Sequence, residues 1–130
     1  MKVLLVDDQP DTRKLTEVYF QNEPDVELVS LASGAEALTY LSENGTDIDA
    51  VLLDLAMPTL DGLTIAEEIR RNENLHPRGK PVKLAFFTAR SIDPPIERVK
   101  EQCNVERIFL KPVENIPKFV EDVKRLANND

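Results

Sequence analysis

Lys2-Val3-Leu4-Leu5-Val6-Asp7-Asp8 carries four consecutive apolar residues that stop on two acids, and Ala50-Val51-Leu52-Leu53-Asp54 repeats the design around one acid. A strand with one wet face alternates apolar and polar residues. A run without alternation suits a strand buried on both faces, as in a parallel sheet covered by helices. Leu84-Ala85-Phe86-Phe87 ends in the same way on Thr88, and Ile108-Phe109-Leu110 ends on Lys111-Pro112. The carboxyl ends of parallel strands lie along one edge, where ligands bind. Three carboxylates, a hydroxyl and an ammonium are therefore expected on one patch, a pattern that reads as a cation and phosphoryl site.

Outward from these runs, the chain divides into five strand–helix units. The first strand is expected at about Lys2–Asp7. Pro10 then suits the first turn of a helix, and Leu15, Val18 and Tyr19 give that helix its apolar stripe. A second strand reads as Val26–Leu31, and Ser33 with Glu36 fits a capping box for a helix reaching about Glu43, stopped by Asn44-Gly45. The third strand is about Asp49–Asp54, with the loop Leu55–Asp61 and a helix Gly62–Asn72 that turns Leu63, Ala66 and Ile69 inward. After the polar stretch Glu73–Lys80 come a strand at Val82–Phe87 and a helix at about Pro95–Cys103, with Ile96, Val99 and Cys103 at helical spacing. The last pair is Glu106–Leu110 and Ile116–Ala127, whose Ile116, Phe119, Val120 and Val123 form the cleanest amphipathic pattern. Alternating strands and helices with short joints predict a single α/β domain over residues 1–130, its parallel strands linked by right-handed crossovers.

Composition narrows the function. At 130 residues the chain is one ordinary domain with room for a real core. Its 16 Lys and Arg against 24 Asp and Glu leave a net charge of −8, which argues against non-specific nucleic-acid binding. No apolar segment approaches the roughly 20 residues that cross a bilayer, so no membrane insertion is expected. The opening run meets Asp7 too early for a signal peptide. A lone Cys103 cannot form an internal disulfide, so a cytoplasmic setting is expected.

Each candidate has an ordinary explanation beside the chemical one. A single strand-end Asp often caps a turn, but Asp7, Asp8 and Asp54 together repel one another by about 1 to 4 kcal/mol per pair at about 4 Å. Mg²⁺ takes carboxylates and keeps several waters, and it would relieve that repulsion. Lys111 at a strand end reaches the mouth of such a site, where an ammonium neutralises a phosphoryl oxygen. Alone it would read as an exposed lysine before a turn. Pro112 cannot donate to a ladder and suits a turn, with either peptide isomer open. Thr88 with Ala89 is the weakest signal taken singly. Met57-Pro58 and Asp61-Gly62 shape the loop after Asp54, either as an ordinary turn or to set the main-chain carbonyl of Ala56 near the cation. His76, beside Pro77 in a polar loop, reads as a surface residue. Cys103 reads as a small packed hydrophobe, and Glu97–Glu101 as a solvated helix face that can add to a partner surface.

Val-Asp-Asp after the first strand, Leu-Asp-Leu-Ala-Met-Pro with Asp-Gly after the third, Thr-Ala after the fourth and Lys-Pro after the fifth resemble the receiver domain of two-component response regulators, of the single-domain, chemotaxis-regulator-like kind. The resemblance covers essentially the whole chain. It implies a flavodoxin-like, doubly wound (βα)5 fold with a five-stranded parallel sheet in the order 2-1-3-4-5. It also implies that Asp54 is the phosphoacceptor, that Asp7 and Asp8 belong to a Mg²⁺ site, that Thr88 is the switch hydroxyl and that Lys111 contacts the phosphoryl group. A histidine kinase or histidine phosphotransfer protein would be the donor, and a downstream protein the target. The domain would add and remove its own phosphoryl group only weakly, its role being signalling rather than turnover.

Three features depart from the family pattern. Ile108 stands where the family usually has an aromatic, with Phe109 beside it, which argues against an aromatic rotamer switch. Glu73–Lys80 is longer than usual, and Val113 follows Lys-Pro where Phe is common. Two rivals come from other classes. A Mg²⁺-dependent phosphohydrolase with an aspartyl-phosphate intermediate usually carries a second Asp two positions after the nucleophile, where this chain has Ala56. A binding module that has lost phosphorylation would not need the intact acidic set or Lys111. With only Asn128-Asn129-Asp130 after Ala127, no output domain is visible, and the chain reads either as a stand-alone regulator or as a receiver cut from a longer one.

Overall fold

The computed structural model describes residues 1–44, 47–56, 62–72, 82–89 and 93–128, the side chain of Asn44 excepted. The chain alternates β1 (Lys2–Val6), α1 (Pro10–Phe20), β2 (Glu27–Leu31), α2 (Gly34–Asn44), β3 (Ala50–Leu53), α3 (Gly62–Arg71), β4 (Lys83–Thr88), α4 (Pro94–Gln102), β5 (Val105–Leu110) and α5 (Ile116–Asn128). All paired strands are parallel, in the order β2-β1-β3-β4-β5. Fold class and strand order are those implied by the resemblance.

The unalternated runs do bury both faces. Leu4, Val6, Val51, Leu53, Leu84 and Phe86 pack on one side of the sheet with Leu41 of α2, Ile65 and Ile69 of α3, and Ile96 and Val99 of α4. Val3, Leu5, Leu52, Ala85, Phe87 and Phe109 pack on the other with Phe20 of α1 and Phe119, Val120, Val123 and Leu126 of α5. Successive residues of one strand thus feed two separate cores. Burying each such Val, Leu, Ile or Phe stabilises the fold by about 1.5–3 kcal/mol. On the second face Phe119 is a hub, stacked on Phe87 at 5.0 Å and edge-on to Phe109 at 5.2 Å and to Phe20 at 6.1 Å.

The expected face of α1 is wrong by one residue. Leu15 and Val18 are each 53% exposed, and the helix buries Thr16 and Phe20 instead. Thr16 tolerates burial because its hydroxyl donates to the carbonyl of Thr12 at 2.8 Å, within its own helix, and this frees the register for Phe20 to reach Phe119. In α5 the inward stripe starts one turn later than expected. Ile116 stays exposed, and Phe119, Val120, Val123 and Leu126 carry the packing.

The capping box at α2 holds in a shifted form. Ser33 Oγ accepts from the N–H of Glu36 at 3.1 Å, and the Glu36 carboxylate accepts from the N–H of Ala32, one residue ahead of the cap. Cys103 is buried as expected. Gly45, the loop residues Met57, Pro58 and Asp61, and the stretch Glu73–Lys80 with His76 lie outside the described residues.

Candidate functional site

The ladder places the site residues. Beyond the last residue of its strand, the N–H of Asp7 donates to Leu31 O, that of Asp54 to Val6 O and that of Lys111 to Thr88 O, each at 3.0 Å. Each side chain is therefore set by one more rung of a buried sheet. The four runs that read alike in sequence bring Asp7, Asp54, Thr88 and Lys111 to one edge, with Asp8 next to Asp7. Asp7 and Thr88 are fully buried, and Asp54 is 5% exposed.

One carboxylate oxygen from each of Asp7, Asp8 and Asp54 lies within 4.8 Å of the others. The Lys111 ammonium forms an ion pair with Asp7 Oδ2 and stands 3.7 Å from Asp54 Oδ2, above the ring of Phe87 at 4.9 Å from its centroid. Asp7 Oδ1 accepts from the N–H of Gln9 at 2.9 Å, so both Asp7 oxygens have donors. Asp54 Oδ1 accepts from the N–H of Ala56 at 3.1 Å. Asp8 Oδ1 is buried with no hydrogen-bond partner among the described residues. An orphaned, buried carboxylate oxygen beside two further carboxylates fits a hard cation with oxygen ligands.

Burial raises the Asp54 carboxyl above the ordinary carboxylate pKa. The Ala56 N–H and the Lys111 charge pull it down, and the charges of Asp7 and Asp8 push it further up. A group that burial pushes toward neutrality is held 3.7 Å from the Lys111 ammonium.

Ala56 is exposed, just after β3, and its amide faces Asp54. Ala89 is exposed directly after Thr88. Pro112 follows a cis peptide bond from Lys111 and is exposed. Ile108 is half-buried on the α3–α4 side of the sheet, and Phe109 is buried on the α1–α5 side, so the two neighbours point apart as strand periodicity requires.

Two contributors, and the part that Gly62 plays, were not anticipated. Arg13 of α1 donates from Nη1 to the main-chain carbonyl of Asp7 at 2.7 Å, bracing the turn that carries both acids. Gly62 opens α3 against Asp54, where a β-carbon would stand 2.5 Å from the Asp54 carbonyl oxygen and 2.9 Å from Leu55 Cδ2. Its sequence signal, Asp61-Gly62, reads as a turn, but the structural reason is close approach. Third, a groove of about 300 Å³ runs from Lys111 and Phe87 past Val113 to Thr12, Leu15 and Tyr19 of α1, so the exposed side of α1 borders the site.

Comparison with known proteins identifies the family and agrees with the fold. The sequence profile of the response regulator receiver domain matches residues 3–124, and the chain belongs to that family of two-component signalling domains. The transcriptional regulatory protein AruR of Pseudomonas aeruginosa is 34% identical over 116 residues, which are 86% of this chain and 43% of AruR. The response regulator SaeR of Staphylococcus aureus is 35% identical over 71 residues, 55% of this chain and 29% of SaeR. The match thus spans less than half of either relative. Among solved structures, the response regulator TrrA of Thermotoga maritima, in complex with Mg²⁺ and BeF, is 29% identical with a TM-score of 0.76, covering 96% of this chain and 97% of that one. The chemotaxis protein CheY4 of Vibrio cholerae superposes with a TM-score of 0.79 at 22% identity, over 96% of this chain and 97% of its own. Among the described residues, no helix is long and apolar enough to cross a membrane.

Proposed function

We propose that this domain, residues 1–130, accepts a phosphoryl group on Asp54 from the phosphohistidine of a histidine kinase or a histidine phosphotransfer protein, and thereby switches a protein-binding surface or passes the group on. The observation that carries this reading is the pairing of a buried Asp54 carboxylate with the Lys111 ammonium 3.7 Å away, beside two further acids. Asp7, Asp8, Asp54 and the main-chain carbonyl of Ala56 are the groups we assign to Mg²⁺. Bound there, the ion would offset the charge of the carboxylates and of the incoming phosphoryl oxygens.

In the transfer, an Asp54 oxygen forms a bond to phosphorus while the donor's P–N bond breaks, and that electron pair stays on the imidazole nitrogen. The chain's own work is positioning and charge neutralisation. The ladder holds Asp54 in line, and Lys111 exchanges its contact with Asp7 for one with a phosphoryl oxygen. Thr88 offers its hydroxyl to another, drawing the start of the β4–α4 connection inward. Water later cleaves the acyl phosphate. Ala56 has no acid group to speed that step, so turnover of an external substrate is not proposed. Small phosphodonors such as acetyl phosphate should serve as well, since the machinery sits in this chain. The cytoplasm is the compartment we assign.

Leu15, which lines the groove that reaches Lys111, and Val18, three residues further along α1 and equally exposed, supply an apolar surface on which a donor protein can seat. The test of the reading is labelling with acetyl phosphate and Mg²⁺. Wild type should gain one phosphoryl group and Asp54→Asn none. Equal labelling of Asp54→Asn, mapped to another residue, would overturn the assignment.

A further inference from the structure

Lys111 has one close neighbour that carries no charge. Its ammonium pairs with Asp7 Oδ2, stands 3.7 Å from Asp54 Oδ2 and lies over the ring of Phe87, 4.9 Å from the centroid. The face of an aromatic ring is the negative part of its quadrupole, so it attracts a cation placed above it. Water competes little for that contact, since the Lys111 side chain is 16% exposed and Phe87 only 2%.

The ring is fixed by its own surroundings. The β4–β5 register sets Phe87 beside Phe109, and Phe87 stacks on Phe119 of α5 at 5.0 Å with 27° between the planes. Phe119 in turn meets Tyr19, Phe20 and Phe109 edge-on. A ring packed into such a cluster swings out only by leaving a cavity. Lysine is its opposite, a compact charge on a flexible four-carbon stem whose rotamer freedom is costly to remove. The ring is the rigid partner and the ammonium the mobile one.

The proposed transfer disturbs the carboxylate contacts of Lys111 and spares the ring. Asp7 Oδ1 accepts from the N–H of Gln9, so a cation at the acidic cluster competes with Lys111 for Asp7 Oδ2. The Asp54 oxygen that bonds to phosphorus gives up its charge. Phe87 takes part in neither event, and its attraction for the ammonium persists through both.

We propose that Phe87 is a positioning residue for Lys111: its ring face keeps the ammonium at the mouth of the acidic cluster while the lysine exchanges Asp7 for a phosphoryl oxygen. This rests on the receiver reading given above. Without that attraction the lysine visits solvent, and the transfer rate falls with the share of molecules whose ammonium is in place. A Phe87 that only fills space would not respond to the charge distribution of its ring.

Fluorination separates the two roles, because it withdraws charge from the ring face and changes its shape little. Mono-, di- and trifluorophenylalanine are introduced at position 87 of the whole chain, and Asp54 is labelled with acetyl phosphate and Mg²⁺. The rate should fall with each fluorine, by about fivefold at the third, the order of a partly exposed cation–π contact. In Lys111→Met, slow from the outset, the same series should be flat. A second reading needs no altered residue at all. Ring current should hold the ε-methylene protons of Lys111 upfield of those of other lysines, both in the free protein and with Mg²⁺ and beryllofluoride. A series that slows equally in Lys111→Met, or ε-methylene protons at the ordinary lysine position in either state, would overturn the role given to Phe87. No label at Asp54 in the unsubstituted protein would overturn the receiver reading and this inference together, whereas labelling at one rate across the series overturns the inference alone.

Discussion

Gly62 stands against Asp54 so closely that a β-carbon on it would lie 2.5 Å from the Asp54 carbonyl oxygen. Backbone, not a flexible side-chain tip, blocks the space, so a larger residue must push the start of α3 away from the end of β3. Gly62→Ala should lose about 1–3 kcal/mol of stability in urea unfolding, the range for overpacking a tight site. Its phosphorylation by acetyl phosphate should also slow, because the displaced backbone belongs to Asp54, the proposed phosphoacceptor. A Gly62→Ala protein as stable and as fast as wild type would mean that α3 moves aside at no cost.

Asp8 is a like charge beside Asp7 and Asp54, with one oxygen buried and unpaired among the described residues. Asp8→Asn should weaken Mg²⁺ binding by removing a charged ligand. Without metal the same change should stabilise the fold by about 1 kcal/mol, the size of one repulsion near 4 Å in a water-like medium. Calorimetric titration with Mg²⁺ and thermal melting in EDTA give the two readings. A metal-free Asp8→Asn that melts below wild type would refute the repulsive cluster.

The raised pKa of Asp54 makes a pH prediction whose sign can be worked through. Burial leads the shift, with Asp7 and Asp8 adding to it, so the folded protein binds this proton more tightly than the unfolded chain. Above the raised value, ionised Asp54 costs stability; as pH falls through it, that cost disappears. Asp54→Asn, always neutral, should therefore be the more stable protein at pH 7 in EDTA. Its margin should shrink to nothing as pH approaches the unfolded carboxylate value of about 3.9. Urea midpoints across that range decide it, and a margin that grows on acidification would reverse the sign argued here.

Leu15 and Val18 were expected in the core and are on the surface, which turns them into a test of the donor interface. Leu15→Asp should change stability by no more than about 0.5 kcal/mol, since the side chain is already exposed. Phosphotransfer from the cognate kinase should slow about tenfold, equivalent to roughly 1.4 kcal/mol at the interface, with labelling by acetyl phosphate unchanged. Slowing of both reactions alike would move Leu15 from the donor surface to the site itself.

How much of this was legible in the sequence follows from the kind of interaction involved. β1, β3 and β4 announce themselves because burial on both faces removes polar alternation, and a parallel sheet then brings Asp7, Asp54 and Thr88 to one edge without further information. The face of α1 was misread because Thr16 looks polar until its hydroxyl is seen to bond Thr12 in the same helix. Arg13 and Arg70, the latter donating from Nε to the Cys103 carbonyl, were passed over for a related reason. Long cations on helices resemble surface residues, and nothing local marks a partner 33 positions away, as Cys103 is from Arg70. Gly62 was noticed, but as a turn residue, because close approach to another backbone leaves no mark in the sequence beyond the glycine.

The switch gives the last prediction. Ile108 and Phe109 face opposite cores, so Phe109 cannot stand in for an aromatic at position 108. Phe109 is wedged between Phe119 and the Arg107 guanidinium and would leave a cavity if it swung out. Ile108 is β-branched, with few side-chain rotamers, and packs half-buried against the α3–α4 core. Phosphorylation should therefore move Thr88 and the connection from Ala89 to Pro94, of which residues 90–92 lie outside those described, while Ile108 keeps its rotamer. Methyl spectra of Ile108 and Thr88, recorded with and without Mg²⁺ and beryllofluoride, separate the two routes. A large rotamer change at Ile108 over a stationary Thr88 would place the switch on β5 instead of on the path into α4.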